Sequence, residues 1–292
     1  MCDDKTLEDN ERFLASTGRL SRRHFGALSG AAAMSAMVPA PAHAAEVIES
    51  DIDVATPDGA ADCYFVRPAS GAHAGVLLWT DILGPRPSFR AMGKRLAQSG
   101  YSVLLVNPFY REERAPVVPE GATFGDPDVR AKVIGLAQKL TPETTVTDAT
   151  AFVSFLDSEE SVDTGRKIGT MGYCMSGSMA IRTAAAIPDR VGAAASFHGG
   201  GLVTDSETSP HLLIPKTKAS FLIAIAENDD EKEPDAKDVL RQTADEAGIA
   251  AEIEVYEGAL HGWCPPDSPI YNEAQAERAW SRLLALFETT LA

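Results

Sequence analysis

The apolar positions along the chain alternate between two spacings, and that alternation predicts an order of elements. Val47, Ile48, Ile52 and Val54, then Asp62–Arg67, read as two strands joined at Thr56-Pro57-Asp58-Gly59, a strong turn sequence. Gly75–Thr80 (GVLLWT), Ser102–Val106 (SVLLV) and Ser220–Ala226 (SFLIAIA) are short unbroken apolar runs, the pattern of parallel strands buried on both faces. Gly192–Phe197 and Ala251–Tyr256 add two more. Between these runs apolar residues return at helical spacing. The predicted helices are Phe89–Ser99 closed by Gly100, Asp128–Leu140, Pro142–Leu156 behind the N-cap Thr141, Pro234–Ala247 closed by Gly248, and Tyr271–Leu291. The last carries Ala279, Trp280, Leu283, Leu284 and Phe287 on one face. Strands alternating with helices predict an α/β fold, a mostly parallel central sheet with helices on both faces. Reactive groups then belong at the carboxyl ends of the strands. Asn107–Asp128 breaks the pattern with Pro108, Pro116, Pro119 and Pro127, and is expected to be a lid or cap loop.

One stretch organises the rest. In Arg166–Met179 (RKIGTMGYCMSGSM) a short β-rich run leads into Gly172-Tyr173-Cys174-Met175-Ser176-Gly177, and small residues then recur at helical spacing. This reads as a strand, a sharp turn with a nucleophile at its tip, and a helix packed close behind. A thiol there sits at a helix N-terminus, where unpaired N–H groups and the helix dipole favour the thiolate. The alternative is a small buried hydrophobe, the commonest state of an unpaired cysteine. The glycines around Cys174 favour the nucleophile.

Composition narrows the partners. The 292 residues carry a formal charge of −16, spread along the chain, which argues against nucleic acid and anionic membrane surfaces as partners. The N-terminus reads as leader rather than fold. A polar stretch to residue 20 is followed by Ser21-Arg22-Arg23-His24-Phe25, an Ala/Met/Gly-rich run from Ala27 to Val38, and Ala42-His43-Ala44. This resembles a twin-arginine export signal with an A-x-A cleavage site, and the apolar run is too short for a membrane span. The expected division is a signal over 1–44 and one domain over 45–292, delivered by the twin-arginine export machinery to the periplasm or the medium, with no stable membrane anchor. Of four cysteines, Cys2 departs with the signal. If Cys174 is to stay free to react, Cys63 and Cys264 are the one pair left for a bridge, and there is no C-x-x-C.

A nucleophilic thiol needs a base, and the base needs an orienting carboxylate. His261, in the Gly258-Ala259-Leu260-His261-Gly262-Trp263 loop after the last strand, is the preferred base, with His198 at a strand end its competitor. The three glycines after His198 suggest tight packing or a loop beside the site. Asp229, behind the SFLIAIA strand, is the preferred acid over Asp230 and Glu227. The resulting order of nucleophile, acid and histidine is that of the α/β-hydrolase plan.

On these motifs, and on Trp79-Thr80-Asp81-Ile82-Leu83-Gly84, the chain from about Ile48 to Leu291 resembles the dienelactone hydrolase family, α/β-hydrolases with cysteine in place of the usual serine. The resemblance implies Cys174 as nucleophile, His261 as base and Asp229 as its orienter, with the N–H groups of Met175 and Ile82 forming an oxyanion hole. It assigns Asp81, Arg130, Tyr173 and Trp263 to gating and substrate contact, Asp81 standing where the family has a glutamate that gates the thiol. It implies a carboxylic ester hydrolase that cleaves a small ester or lactone through a thioester, without metal or cofactor. A carboxylesterase or thioesterase on another small acyl substrate, and an idle hydrolase fold used for binding, are the alternatives. The sequence departs from the family at three places: Asp81 is one methylene short, Ser176 replaces an elbow glycine, and Pro265 stands where an arginine grips the substrate carboxylate. A second family arginine is matched by Arg130, with Ile134 where an aromatic residue is usual.

Overall fold

The computed structural model describes residues 4–17 and 44–292. Its centre is an eight-stranded sheet: β1 (Val47–Thr56), β2 (Gly59–Pro68), β3 (Ala74–Trp79), β4 (Tyr101–Val106), β5 (Ile168–Tyr173), β6 (Val191–Phe197), β7 (Ser220–Ala226) and β8 (Ala251–Tyr256), in the order β1-β2-β4-β3-β5-β6-β7-β8. β1 and β2 form an antiparallel hairpin whose register closes at Thr56 opposite Gly59, so the Pro57-Asp58 turn does what its sequence predicts. β2 pairs antiparallel with β4, and every later pairing is parallel. The architecture is the expected α/β-hydrolase one.

The unbroken apolar runs explain the layers. β3, β4, β5 and β6 are buried at every position, because helices cover both faces. Alternate side chains serve opposite cores. Val76 and Leu78 join Tyr64, Val103 and Met171 under two helices, α2 (Pro87–Gln98) and the C-terminal α8 (Glu273–Thr290), through Phe89, Leu96, Trp280 and Phe287. Leu77 and Trp79 face the other way, onto Phe152 and Leu156 of α4 (Pro142–Ser158). On that side the core continues through Ile181 of α5 (Gly177–Ala186) and Leu240 of α7 (Ala236–Ala247). The start of α4 is fixed as its sequence predicts: the Thr141 hydroxyl accepts from the Thr144 N–H, with Pro142 at the first helical position.

Two elements differ from the sequence reading. The acidic segment behind β7 forms a short helix, α6 (Glu227–Lys232), rather than a loop. The polar N-terminal stretch, read as leader with no element assigned to it, forms a helix, α1 (Asp4–Thr17). Thr6 is buried and Leu7, Asn10, Phe13 and Leu14 half-buried, an i, i+3, i+4 stripe too weakly apolar to stand out in the sequence. Thr6 accepts from Lys232 at 2.8 Å, and Asp9 from Asn228 at 3.3 Å. The paired arginines and the A-x-A site expected of a leader lie, for residues 18–43, outside the described residues. Cys63, Cys174 and Cys264 are in no disulfide, so the possible Cys63–Cys264 bridge is not made. Among the described residues no helix is long and apolar enough to cross a membrane.

Candidate active site

The carboxyl ends of β3, β5, β6, β7 and β8 converge, and the residues that follow them form one buried cluster. The turn after β5 is a strained elbow. Cys174 has φ of 55°, in the left-handed region a side chain enters at a cost of about 1–3 kcal/mol. The chain then runs through one 3₁₀ turn, Cys174–Ser176, into α5. Such a bend leaves no room beside it. A Cβ on Gly172 would lie 2.1 Å from the Ser176 carbonyl oxygen, and one on Gly177 would lie 2.2 Å from Ser196 Oγ.

Ser176, the departure from a glycine-only elbow, has its own function in the fold. Its Oγ accepts the Tyr173 N–H at 2.8 Å and lies 3.0 Å and 3.2 Å from the carbonyls of Tyr173 and Trp79, to which its proton is donated. The hydroxyl therefore ties the end of β5 to the end of β3.

His261 sits at the opposite wall, 3% exposed, on the loop after β8. Its ring Nδ1 is 2.7 Å from Asp229 Oδ2, and its backbone N–H donates to Asn228 Oδ1 at 2.8 Å. Glu227 accepts the Gly258 N–H, so α6 is stitched to the histidine loop at three successive residues. The acids are thereby distinguished: Asp229 meets the imidazole, Asp230 pairs with Lys237 at 2.7 Å, and Glu227 holds the backbone. Burial alone would depress the His261 pKa; the Asp229 charge, the nearby Cys174 and the Asp229 hydrogen bond override it and raise the value to about 10. The bond to Asp229 fixes the ring by its Nδ1 face and leaves Nε2 without a partner inside the fold.

The second histidine is present but differently used. His198 is 1% exposed, follows β6 with φ of 41°, and accepts the Cys174 backbone N–H at Nδ1 over 3.1 Å. His73 and His211 bond locally, to Ser70 and Ser209.

Asp81 follows β3, and here the structure holds a group the sequence reading missed. Arg86 donates to both oxygens of Asp81, at 2.6 and 2.8 Å, and to both oxygens of Asp267, at 2.6 and 3.2 Å. The guanidinium also stacks 4.8 Å over Phe89. Burial raises the Asp81 carboxyl above its ordinary range; Arg86 opposes that rise, while Cys174 and Asp267 add to it. The cluster carries one positive charge against two negative ones. The Arg-Pro pair at Arg86-Pro87, opening α2, and the Asp81 five positions earlier were the available local signals; Asp267 had none.

The remaining expected residues fall into two groups. Ile82 is buried with Phe109, Val117, Val118, Val133 and Leu136, and half-buried Met175 packs against the same cluster. The lid stretch and α3 (Pro127–Ala137) therefore roof the two residues expected to supply oxyanion N–H groups. Arg130 is half-buried on α3. Tyr173 and Trp263 are not at an open surface. Tyr173 stacks on Phe197 at 4.9 Å, Trp263 stacks on Tyr256 at 5.3 Å, and both belong to the core under α2 and α8. No group of three or more His, Cys, Asp or Glu that could hold a metal ion occurs among the described residues.

Comparison with known proteins bears on the family and the fold. The model of the dienelactone hydrolase family matches residues 61–291. The carboxymethylenebutenolidase of Rhodococcus opacus is 27% identical over 227 residues, covering 76% of this chain and 83% of its own. A Klebsiella pneumoniae structure proposed to be a dienelactone hydrolase superposes with TM-score 0.72 at 22% identity, over 83% of this chain and 99% of that one. The dienelactone hydrolase of Anabaena variabilis superposes at 0.60 with 16% identity, over 84% and 99%. Strand order, buried elbow and a family match over most of the chain lead to one conclusion: this protein belongs to the dienelactone hydrolase family and is a hydrolase of carboxylic ester bonds.

Proposed function

We propose that the protein hydrolyses a small ester or lactone through an acyl-enzyme on Cys174. The observation that carries this reading is the double coupling of His261, bonded to Asp229 at 2.7 Å and raised by the Cys174 beside it. An imidazolium next to a thiol at a helix start favours the thiolate. The Cys174 thiolate attacks the acyl carbon, and the carbonyl oxygen takes the charge toward the N–H groups of Met175 and Ile82. As the tetrahedral adduct collapses, His261 gives its proton to the leaving alkoxide. Water then attacks the thioester, His261 takes the water proton, and the thiolate departs with the acid released. Asp229 holds the imidazole tautomer throughout.

The charge around the thiol narrows the substrate. Arg86 is fully engaged by Asp81 and Asp267, which leaves the cluster net negative. Neutral acyl groups fit that surface better than carboxylates, with Arg130 on α3 the arginine the family resemblance assigns to substrate contact. The twin-arginine leader, by this reading, delivers the enzyme to the periplasm or the medium.

Steady-state hydrolysis of neutral aryl esters, lactones and dienelactone by the protein and its Cys174→Ala variant tests the reading. Turnover that vanishes in the variant is the expected result. Equal rates from both proteins would overturn it and leave a hydrolase fold used for binding.

A further inference from the structure

His198 has no part in the reaction just described, yet its ring touches both the backbone of Cys174 and the ring of His261. Its backbone N–H donates to the Ala224 carbonyl at 2.8 Å, which anchors the residue as β6 ends. The left-handed backbone then turns the imidazole back over the elbow. There Nδ1 accepts the Cys174 N–H at 3.1 Å. That amide is buried at the strained bend, where an N–H needs an acceptor, and His198 provides one. The ring also meets the His261 ring edge-on at 5.0 Å, the Trp263 ring at 5.2 Å and the Tyr173 ring at 5.9 Å. One side chain therefore spaces the backbone of the nucleophile from the ring of the base.

We propose that His198 is a positioning residue: a neutral imidazole whose Nδ1 holds the Cys174 amide, and whose ring sets the distance between Cys174 and His261. This rests on the Cys174–His261 reading above. Acceptance at Nδ1 fixes the tautomer, because the ring proton must then be on Nε2. A second proton would set Nδ1–H against the Cys174 N–H and place a second cation 5.0 Å from His261. Burial and the His261 charge both keep His198 neutral, its pKa well below the ordinary imidazole value. The site can then hold one imidazolium only, the one that pairs with the thiol.

Three variants separate the acceptor from the ring. His198→Phe keeps a ring and loses the acceptor. His198→Asn keeps an acceptor where Nδ1 stood and suits a left-handed backbone. His198→Ala loses both, and replaces the Phe variant if that chain does not fold. The readouts are kcat and KM on the best neutral ester, and the pH profile of Cys174 alkylation followed by peptide mass. Burial pushes the Cys63 and Cys264 thiol pKa values up, and the peptide mass separates any adduct on them or on Cys2 from that on Cys174. The acceptor-less chain should lose kcat roughly 10- to 100-fold at unchanged KM, the scale of a misplaced reacting group, and its alkylation midpoint should move to higher pH. His198→Asn should recover most of the kcat and the wild-type midpoint. An acceptor-less variant with wild-type kcat and midpoint would overturn the proposal, as would an Asn variant no better than it at equal melting temperature. The alkylation profile needs no turnover. It therefore tests His198 even if Cys174→Ala shows that hydrolysis does not pass through the thiol.

Discussion

Arg86 offers the sharpest energetic test, because it is held by two carboxylates in a nearly closed space. Its side chain is 11% exposed, against 12% for Asp81 and 21% for Asp267, and its four contacts to the carboxylates are at or below 3.2 Å. Replacing it by Met keeps an unbranched apolar side chain of similar length and removes the charge together with the guanidinium stacked on Phe89. Two like charges are then left facing each other in a poorly hydrated site. Breaking a buried ion pair in this way costs about 3–5 kcal/mol. A single contact near 4 Å at an effective dielectric of 20 is worth about 4 kcal/mol, so two contacts less desolvation give the same scale. For a chain of this length each kcal/mol moves the midpoint by about 2 °C, which places the loss for Arg86→Met at about 6–10 °C near pH 8.

The loss should depend on pH in a definite direction. Burial already raises the Asp81 folded pKa above its unfolded one, and losing Arg86 removes the group that opposes that rise. A raised acid destabilises the fold above its unfolded pKa, and the penalty shrinks as falling pH protonates it. The deficit should therefore be smaller at pH 5 than at pH 8, and Asp81→Asn with Asp267→Asn should restore most of it in the Arg86→Met background. Thermal unfolding followed by circular dichroism at both pH values reads this. A midpoint within 2 °C of wild type at pH 8, or an equal deficit at pH 5 and pH 8, would refute the argument.

Two further outcomes concern His261. Asp229→Asn keeps the size of the side chain at 2.7 Å from the imidazole but removes the charge, and kcat should fall roughly 100-fold with KM little changed; a loss under threefold would remove Asp229 from its assigned role. The raised His261 pKa predicts that kcat/KM holds through pH 8–9 and declines only as pH passes about 10, the thiol and imidazole titrating as one unit. In stability terms the protonated pair contributes fully below the ordinary imidazole value and is lost as pH rises through about 10. An alkaline limb near pH 7 would contradict the coupling of His261 to Asp229 and Cys174.

How far the sequence carries depends on the span over which each interaction is encoded. The strands were legible because burial on two faces demands an unbroken apolar run, a signal held within six or seven residues; β7 and β8 fall at the expected positions, Ser220–Ala226 and Ala251–Tyr256. The elbow was legible for the same reason, since Gly172, Cys174 and Gly177 answer to one local bend. The Asp229 neighbourhood was legible as chemistry and misread as conformation: a run of acids suits a solvated loop, but here the acids open a helix, where negative charge is favoured. α1 was missed because its buried stripe begins with a threonine and passes through an asparagine, and only contact with Lys232 and Asn228 distinguishes it from a solvated helix or coil.

The long-range polar contacts are where the reading stopped, and there is a physical reason that they gather at the site. A parallel sheet delivers the ends of several strands to one edge, so groups far apart in sequence meet there without any local pattern to announce them. Arg86 and Asp267 are 181 positions apart, and His198 and Cys174 are 24 apart. Each is invisible as a motif, because an arginine before a proline or a histidine before three glycines has many local explanations. Each nevertheless satisfies a demand that local structure creates. Turning Cys174 into the left-handed region exposes an amide that needs His198. Burying Asp81 creates a charge that needs Arg86, and the guanidinium has donors left for Asp267. The motif residues thus imply unmet hydrogen bonds and charges at known places, and the fold, rather than the motif, decides which distant side chain meets them.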